Sequence, residues 1–270
     1  MANFLSEMAK ASRVRADALP LRVPESRLDR PRCALSLGRF DLIAEIKQRS
    51  PAEGRLADAQ ADRVSRALAY ADAGAAAISV LTEPQRFDGS LAHLDEVAEA
   101  TAEAGVPVMR KDFLIDVRQL AEARAHGASG VLLIAAMLDD DGLRAMLDCA
   151  FEIGLFVLLE SFGDDDFERS LGLLDRSRYA DRAAAKELLL GINTRDLRSL
   201  EVDSRRLDRF AKRLPDGAAT VAESGLRTAE DTARVAALGY RLGLVGTALM
   251  RSDDPSALVA GMLASARQAR

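Results

Sequence analysis

From Asp41 onward the chain repeats one pattern eight times: a short apolar run followed by a longer, alanine-rich, charged stretch of helical period. The runs fall at 42–46, 76–81, 106–109, 131–135, 155–159, 188–192, 219–222 and 242–245, with starts about 23 to 34 residues apart. Apolar runs of this length bounded by polar segments read as buried strands, and the intervening segments are long enough for the crossover helices that parallel strands need. Several helical segments end in an Ala-Gly, His-Gly or Leu-Gly step, at Gly74, Gly105, Gly127 and Gly239. Glycine is the usual residue just past a helix C-terminus. The aspartates at 139–141 and 164–166 read as helix starts, where carboxylates cap free N–H groups and oppose the helix dipole. Eight strand–helix units in 41–270 predict one α/β domain closed as a (β/α)8 TIM barrel, not an open doubly wound sheet. No Gly-x-Gly-x-x-Gly follows the first run, which argues against a dinucleotide fold.

Residues 1–40 stand outside this repeat. Phe4, Leu5, Met8 and Val14 among polar residues predict an amphipathic helix over 3–18, and the proline- and arginine-rich stretch after it reads as a covering segment or linker. The domain plan is therefore an N-terminal helical extension, 1–40, and a catalytic barrel, 41–270.

The rest of the composition narrows the chemistry. The net charge of −5 is spread with both signs interspersed, and no basic block appears, so nucleic acid is not an expected partner. No apolar run reaches membrane-spanning length, and the N-terminus has no secretory signal. Cys33 and Cys149 have no metal or redox spacing and read as free thiols in a reducing, cytoplasmic setting. The only histidines, His93 and His126, sit in polar helical contexts and read as ordinary surface residues. Acid–base work is thus left to carboxylates and lysines, and no metal site is expected.

Those groups occur where a barrel would use them. Alternate residues of a strand share a face, so Ile43, Glu45 and Lys47 form one row in DLIAEIKQRSPAEG. The same apolar-to-polar row recurs as Met109, Lys111 and Phe113; as Phe156, Leu158 and Glu160; as Gly191, Asn193 and Arg195; and as Val221 with Glu223. A surface-facing strand end would have to be invoked five times to explain this away. It would also bury lysines and glutamates at several kcal/mol each unless they paired. Convergence of charge at the C-terminal mouth of a barrel accounts for all five rows together. The turns Glu223-Ser224-Gly225 and Val245-Gly246-Thr247 lie after the seventh and eighth runs, where such barrels commonly hold phosphate on backbone N–H groups.

The segments IAEIKQRSPAEG, ISVLTEPQRFDGS, PVMRKDFLIDVRQLAEARAHGASGVLLIAAML, LLGINTRDLRSLEVD, VAESGLRTAEDTARVAALG and LVGTALMRSDDP resemble, in order, the blocks of the indole-3-glycerol-phosphate synthase family. RKDF together with GINxRDL is the most specific combination, and the N-terminal helix is similar to the extra helix that family carries before its barrel. The resemblance implies closure of the indole pyrrole ring in tryptophan biosynthesis: 1-(2-carboxyphenylamino)-1-deoxyribulose 5-phosphate becomes indole-3-glycerol phosphate, with loss of carbon dioxide and water. No cofactor or metal is implied. The expected partner is this phosphorylated small molecule, with no nucleic acid and no membrane, in a monomer or homodimer.

By residue, the resemblance implies Lys111 as general acid at the ketone, Glu160 as base, and Lys47 as the cation that holds the substrate carboxylate. Glu45 and Asn193 would orient these groups, with Arg195 and Glu223 in support. Phe87, Phe113 and Leu132 would line the aryl pocket; Ser50, Gly225, Gly246 and Thr247 would hold phosphate, with Ser224 in the same turn. A lysine donates at neutral pH most readily when a neighbouring cation lowers its pKa, and Lys47 is the expected neighbour of Lys111.

The chain departs from the family at four places. VEVH has become Leu159-Glu160-Ser161-Phe162, NNRD has become Asn193-Thr194-Arg195-Asp196, VGESLM has become Val245-Gly246-Thr247-Ala248-Leu249-Met250, and SPSKG has become Ser50-Pro51-Ala52-Glu53-Gly54. The acid–base set is intact. Residues 175–187 look longer than in relatives and should lie on the face away from the site. Two other expectations stay open: a divergent barrel with an altered substrate, such as an isomerase of phosphoribosyl intermediates, and a non-catalytic binding barrel.

Overall fold

Each apolar run pairs in parallel with the next, and the last pairs with the first. In the computed structural model, which describes residues 4–21, 28–51, 53–56 and 63–270, the closed barrel runs β1 (Asp41–Ile46), β2 (Ala77–Leu81), β3 (Val108–Lys111), β4 (Gly130–Ile134), β5 (Phe156–Ser161), β6 (Leu188–Asn193), β7 (Ala219–Glu223) and β8 (Leu242–Val245). Closure is made by Asp41 opposite Leu242 and Ala44 opposite Val245. The two-residue side-chain period sorts the strands into two apolar sets. Ile43, Met109, Leu132, Leu158, Val221 and Leu244 fill the barrel interior, whereas Leu42, Ala44, Ile78, Val131, Leu159 and Leu190 face the helices. This is the TIM barrel that the repeat predicts.

Among the described residues, besides a one-turn helix at Pro84–Phe87, the α-helices are α1 (Phe4–Asp17), α2 (Arg63–Asp72), α3 (Leu91–Thr101), α4 (Val117–Ala125), α5 (Asp140–Glu152), α6 (Asp164–Leu173), α7 (Ser177–Ala184), α8 (Arg206–Ala211), α9 (Ala229–Ala237), α10 (Thr247–Arg251) and α11 (Pro255–Gln268). Asp139 caps α5, accepting from Gly142 N at 2.7 Å. At α6 the expectation needs correcting. Gly163 holds the capping position with no side-chain hydrogen bond, and Asp164, Asp165 and Asp166 lie inside the first turn, where they oppose the dipole and Asp164 and Asp166 pair with Arg213 and Arg198. The stretch 175–187 folds as α7 and leads into the start of β6, the end of the barrel away from the strand C-termini.

The extension before the barrel works at both ends. Helix α1 lies over the C-terminal ends of β2 and β3, with Leu5 and Met8 packed on the interior set. Val14, expected on its apolar face, is 71% exposed, because the buried row continues instead through Ser12 and Ala16. Further along, Cys33 N donates to Ser129 Oγ at 3.0 Å, Arg32 donates to the Gly154 carbonyl at 2.8 Å, and Arg241 donates to the Gly38 carbonyl. Ser129, Gly154 and Arg241 directly precede β4, β5 and β8, or lie within two residues of them. Leu35 and Leu37 pack on the interior cluster from that side, so this stretch covers the barrel floor.

Both histidines are half-buried, not the free surface residues the sequence suggests. His126 places Nδ1 2.6 Å from Asp95 Oδ2, and this contact together with Arg30 holds the Asp95 carboxyl below its usual range against the opposing effect of burial. Cys33 and Cys149 are unpaired and half-buried. Among the described residues, no His, Cys, Asp and Glu group is arranged to hold a metal ion, and no helix is long and apolar enough to cross a membrane.

Candidate active site

The polar ends of the interior rows meet in one pocket at the C-terminal mouth of the barrel. Glu45, Lys47, Ser50, Phe87, Lys111, Phe113, Leu132, Asn193, Arg195, Glu223, Ser224, Gly225, Gly246 and Thr247 all line it. Glu160 does not. It is fully buried beneath the pocket and reaches it through its neighbours.

The floor holds two ionic groups. On β1, Lys47 Nζ lies 2.7 Å from Glu45 Oε1, a pair two residues apart on one strand face. Across the barrel, Lys111 Nζ lies 3.3 Å from Glu160 Oε2 and 3.9 Å from Glu223 Oε2. Asn193 Nδ2 donates to the other Glu160 oxygen at 3.0 Å, and Asn193 Oδ1 accepts from Arg195 N at 2.9 Å, which fixes the amide orientation. The Arg195 guanidinium turns to the Leu200 carbonyl at 2.8 Å and braces the loop after β6.

Two glycines make room for these carboxylates. A Cβ on Gly191 would lie 2.1 Å from Glu223 Oε1, and one on Gly246 would lie 2.2 Å from Glu45 Oε1 and 3.0 Å from Lys47 Nζ. Buried charge can lie flat against the neighbouring backbone only because no side chain intervenes there.

The electrostatics correct one expectation. Burial alone would lower the Lys111 pKa, but the Glu160, Glu223 and Glu45 charges outweigh it and hold the ammonium above the ordinary lysine range. Lys47 does not depress it, because Lys47 is itself paired with Glu45. Glu223 moves the other way for a carboxylate. Burial first, and then the nearby Glu160 charge, push it well above its usual value, and neither of its oxygens has a hydrogen-bond partner among the described residues. The floor therefore favours a protonated Lys111 and shifts Glu223 toward its protonated form.

One side of the pocket is apolar. Phe113 packs edge-on to Phe4 at 5.9 Å between ring centroids and tilted against Phe87 at 6.1 Å, with Leu132, Ile134, Leu81 and Leu197 around them. Sequence reasoning missed Phe4. The periodicity of α1 marks its buried face, but nothing local says where that face docks.

The other side is made of backbone. Ser224 and Gly225 turn with φ of 64° and 79°, and Gly246 begins α10 with no side-chain cap, so Thr247 and Ala248 present first-turn N–H groups to the pocket. Glu53, the acid in place of the family lysine, is paired with Arg251 at 2.9 Å and lies 4.0 Å from Arg227.

Comparison with known proteins agrees with this geometry. The family model for indole-3-glycerol phosphate synthase matches residues 30–262. Indole-3-glycerol phosphate synthase of a Parafrankia species is 43% identical over 245 residues, which is 90% of this chain and 84% of the relative. The Mycobacterium leprae protein of the same name is 43% identical over 222 residues, 82% of this chain and 76% of that one. Among solved structures, KGPDC from Streptococcus mutans superposes with a TM-score of 0.60 at 10% identity over 86% of this chain and 99% of its own. 3-Hexulose-6-phosphate synthase from Salmonella typhimurium gives 0.58 at 14% identity over 86% of this chain and all of its own. At these identities the two structures establish the barrel alone. The sequence match over most of the barrel establishes more: this chain belongs to the indole-3-glycerol phosphate synthase family.

Proposed function

We propose that this pocket closes the pyrrole ring of indole, taking 1-(2-carboxyphenylamino)-1-deoxyribulose 5-phosphate to indole-3-glycerol phosphate with loss of carbon dioxide and water. The chain is a carboxy-lyase of tryptophan biosynthesis through its family. What is proposed here is the assignment of residues. The observation that carries it is the placement of Lys111, clamped by Glu160 and Glu223, between an apolar wall and a backbone anion cradle.

The substrate has matching parts. Its aryl ring lies against Phe113, Phe87, Leu132 and Phe4, its phosphate lies on the Ser224-Gly225 and Gly246-Thr247 turns with Ser50, and its carboxylate meets Lys47. Attack of the carboxylate-bearing ring carbon on the ketone builds an alkoxide, and Lys111 delivers the proton to it. The raised pKa of Lys111 keeps it charged in the resting site, and the alkoxide is basic enough to take the proton in the transition state. Departure of carbon dioxide restores the aromatic ring. Dehydration then needs a proton on the leaving hydroxyl, which the Lys47 ammonium gives, and a base at the adjacent carbon, toward which Glu160 is held by Asn193 and from which it takes the proton. The sequence of steps consumes no net electrons, so no redox cofactor enters. We place the enzyme in the cytoplasm, acting on a phosphorylated small molecule.

The test is direct. Synthetic substrate mixed with the purified chain should produce indole fluorescence with turnover. Folded protein that leaves the substrate unchanged would refute the assignment. An isomerase of phosphoribosyl intermediates fits less well, since such sites rely mainly on Asp or Cys pairs and this floor supplies Lys–Glu pairs instead.

A further inference from the structure

We infer that Arg15, on the helix before the barrel, is a positioning residue for the aryl end of this pocket. Arg15 Nη2 lies 2.7 Å from Asp112 Oδ1, and Nη1 lies 3.6 Å from Glu83 Oε1. Both carboxylates are essentially sealed from solvent, with side-chain exposures of 1% and 0%. Each belongs to a backbone segment that carries a pocket residue. Asp112 directly follows Lys111, and its Oδ1 also accepts from Phe113 N at 2.8 Å. Glu83 caps the one-turn helix Pro84–Phe87, accepting from Gln85 N at 2.9 Å and Arg86 N at 2.6 Å, and that turn carries Phe87. One guanidinium therefore ties together the two backbone segments that set Phe113 and Phe87.

Asp112 has other partners, Arg110 Nη2 at 3.1 Å and Thr82 Oγ1 at 2.8 Å, so it keeps hydrogen-bond donors without Arg15. Arg15 adds the bridge from Asp112 to Glu83. Only a planar, forked cation spans two carboxylates in this way, and lysine offers a single point charge instead. The same helix carries Phe4 against Phe113, and Ser12 Oγ accepts from Gln119 Nε2 at 2.9 Å, so the helix is docked along its length. The bridge contacts no part of the backbone cradle at Gly225 and Gly246. Its loss loosens the aryl wall and leaves the phosphate end as it was.

The inference rests on the proposed reaction, and the experiment separates the two. Wild type is measured first with the parent substrate; absence of turnover there defeats the functional assignment and not this inference. Given turnover, Arg15→Met should raise KM by about tenfold with kcat within about threefold. The preference for the parent over a ring-methylated substrate should shrink by about fivefold, since a rigid apolar wall discriminates single methyl groups and a loose one does not. The inhibition constant of inorganic phosphate should stay within about twofold of wild type. KM and methyl discrimination at wild-type values in folded Arg15→Met would overturn the inference. So would a rise in the phosphate constant that matches the rise in KM, which marks general loosening. Should Arg15→Met fail to fold, Arg15→Lys decides. It keeps the charge without the bridge, so an intermediate KM and reduced discrimination support the inference, and wild-type values overturn it.

Discussion

Glu223→Gln offers the sharpest view of the buried charges. The Glu223 side chain is 1% exposed, lies near Glu160, and has Lys111 only at 3.9 Å. Burial and the Glu160 charge hold its pKa well above the ordinary glutamate value, while in the unfolded chain it ionises at that ordinary value. Between these two values the folded protein keeps a proton that the unfolded chain has released. Stability then falls as pH rises, by at most about 1.4 kcal/mol per pH unit for one group. Glutamine has nearly the same shape and cannot ionise, so the variant lacks this loss. The stability difference between Glu223→Gln and wild type should be near zero at or below about pH 4 and should grow in favour of glutamine above it. Coupling to Glu160 and Lys111 spreads the titration and makes the slope shallower than the single-group limit. Urea midpoints at a series of pH values between about 4 and 8 measure it. A difference that is flat, or that favours wild type more at neutral than at acid pH, would show Glu223 to be an ionised counter-ion of Lys111. The reasoning about the floor would then be wrong.

The two lysines should fail differently. Lys111→Ala should lower kcat by at least about a hundredfold with a non-reacting substrate analogue still bound, whereas Lys47→Ala should weaken binding of a carboxylate-bearing analogue as well as turnover. Calorimetric titration separates them, and undiminished affinity in Lys47→Ala would end its anchoring role. Gly246→Ala places a methyl group 2.2 Å from Glu45 Oε1 and should cost about 1–3 kcal/mol through the displaced Glu45–Lys47 pair, read as a drop in kcat/KM and in thermal midpoint together. Unchanged values for both would mean that the pair has room to move. Asp116, pulled down to about 2 chiefly by its side-chain hydrogen bond with Arg118, has a folded pKa below the unfolded one, so its contribution is present above the unfolded value and is lost as pH falls toward about 2. The penalty of Asp116→Asn should be about 1 kcal/mol near pH 6 after solvent screening and should shrink below about pH 4; a pH-independent penalty would assign it to the helix cap instead.

How much of this the sequence disclosed follows from the kind of signal each feature leaves. Alternation along a strand is a local rule, so the rows ending in Lys47, Lys111, Glu160, Asn193 and Glu223 could be read before any fold was known, and they do converge. The glycine stops at Gly74 and Gly239 are local as well, with φ of 94° and 100°. Pairing across the barrel is not local. That Lys47 spends its charge on Glu45, and that three carboxylates surround Lys111, depends on neighbours far apart in sequence, which is why the expected direction of the Lys111 shift was reversed. The docking of α1 failed to show for the same reason. Its polar partners, Asp112, Glu83 and Gln119, lie at least sixty residues away, so Val14 and Phe4 could not be told apart as exposed and half-buried.

The reversed shift makes better chemical sense of the floor than the expected one. Burial and the Glu160 charge favour the protonated form of Glu223, and in that form Lys47 and Lys111 are matched by Glu45 and Glu160. A buried lysine lowered toward neutrality would lose its proton before the substrate arrived, and the acid would be missing when the ketone oxygen first develops charge. On the proposed assignment Lys111, held high by its carboxylates, stays protonated through binding and gives up its proton only to a stronger base. The bound substrate then adds one carboxylate to a balanced floor, beside Lys47, and the reaction itself removes that charge as carbon dioxide. On this account an ionised Glu223 would oppose substrate binding, so its protonation matters to the first step as much as to the fold. The Glu223→Gln variant should therefore bind the carboxylate-bearing analogue at least as tightly as wild type, and its advantage should grow with pH as Glu223 ionises.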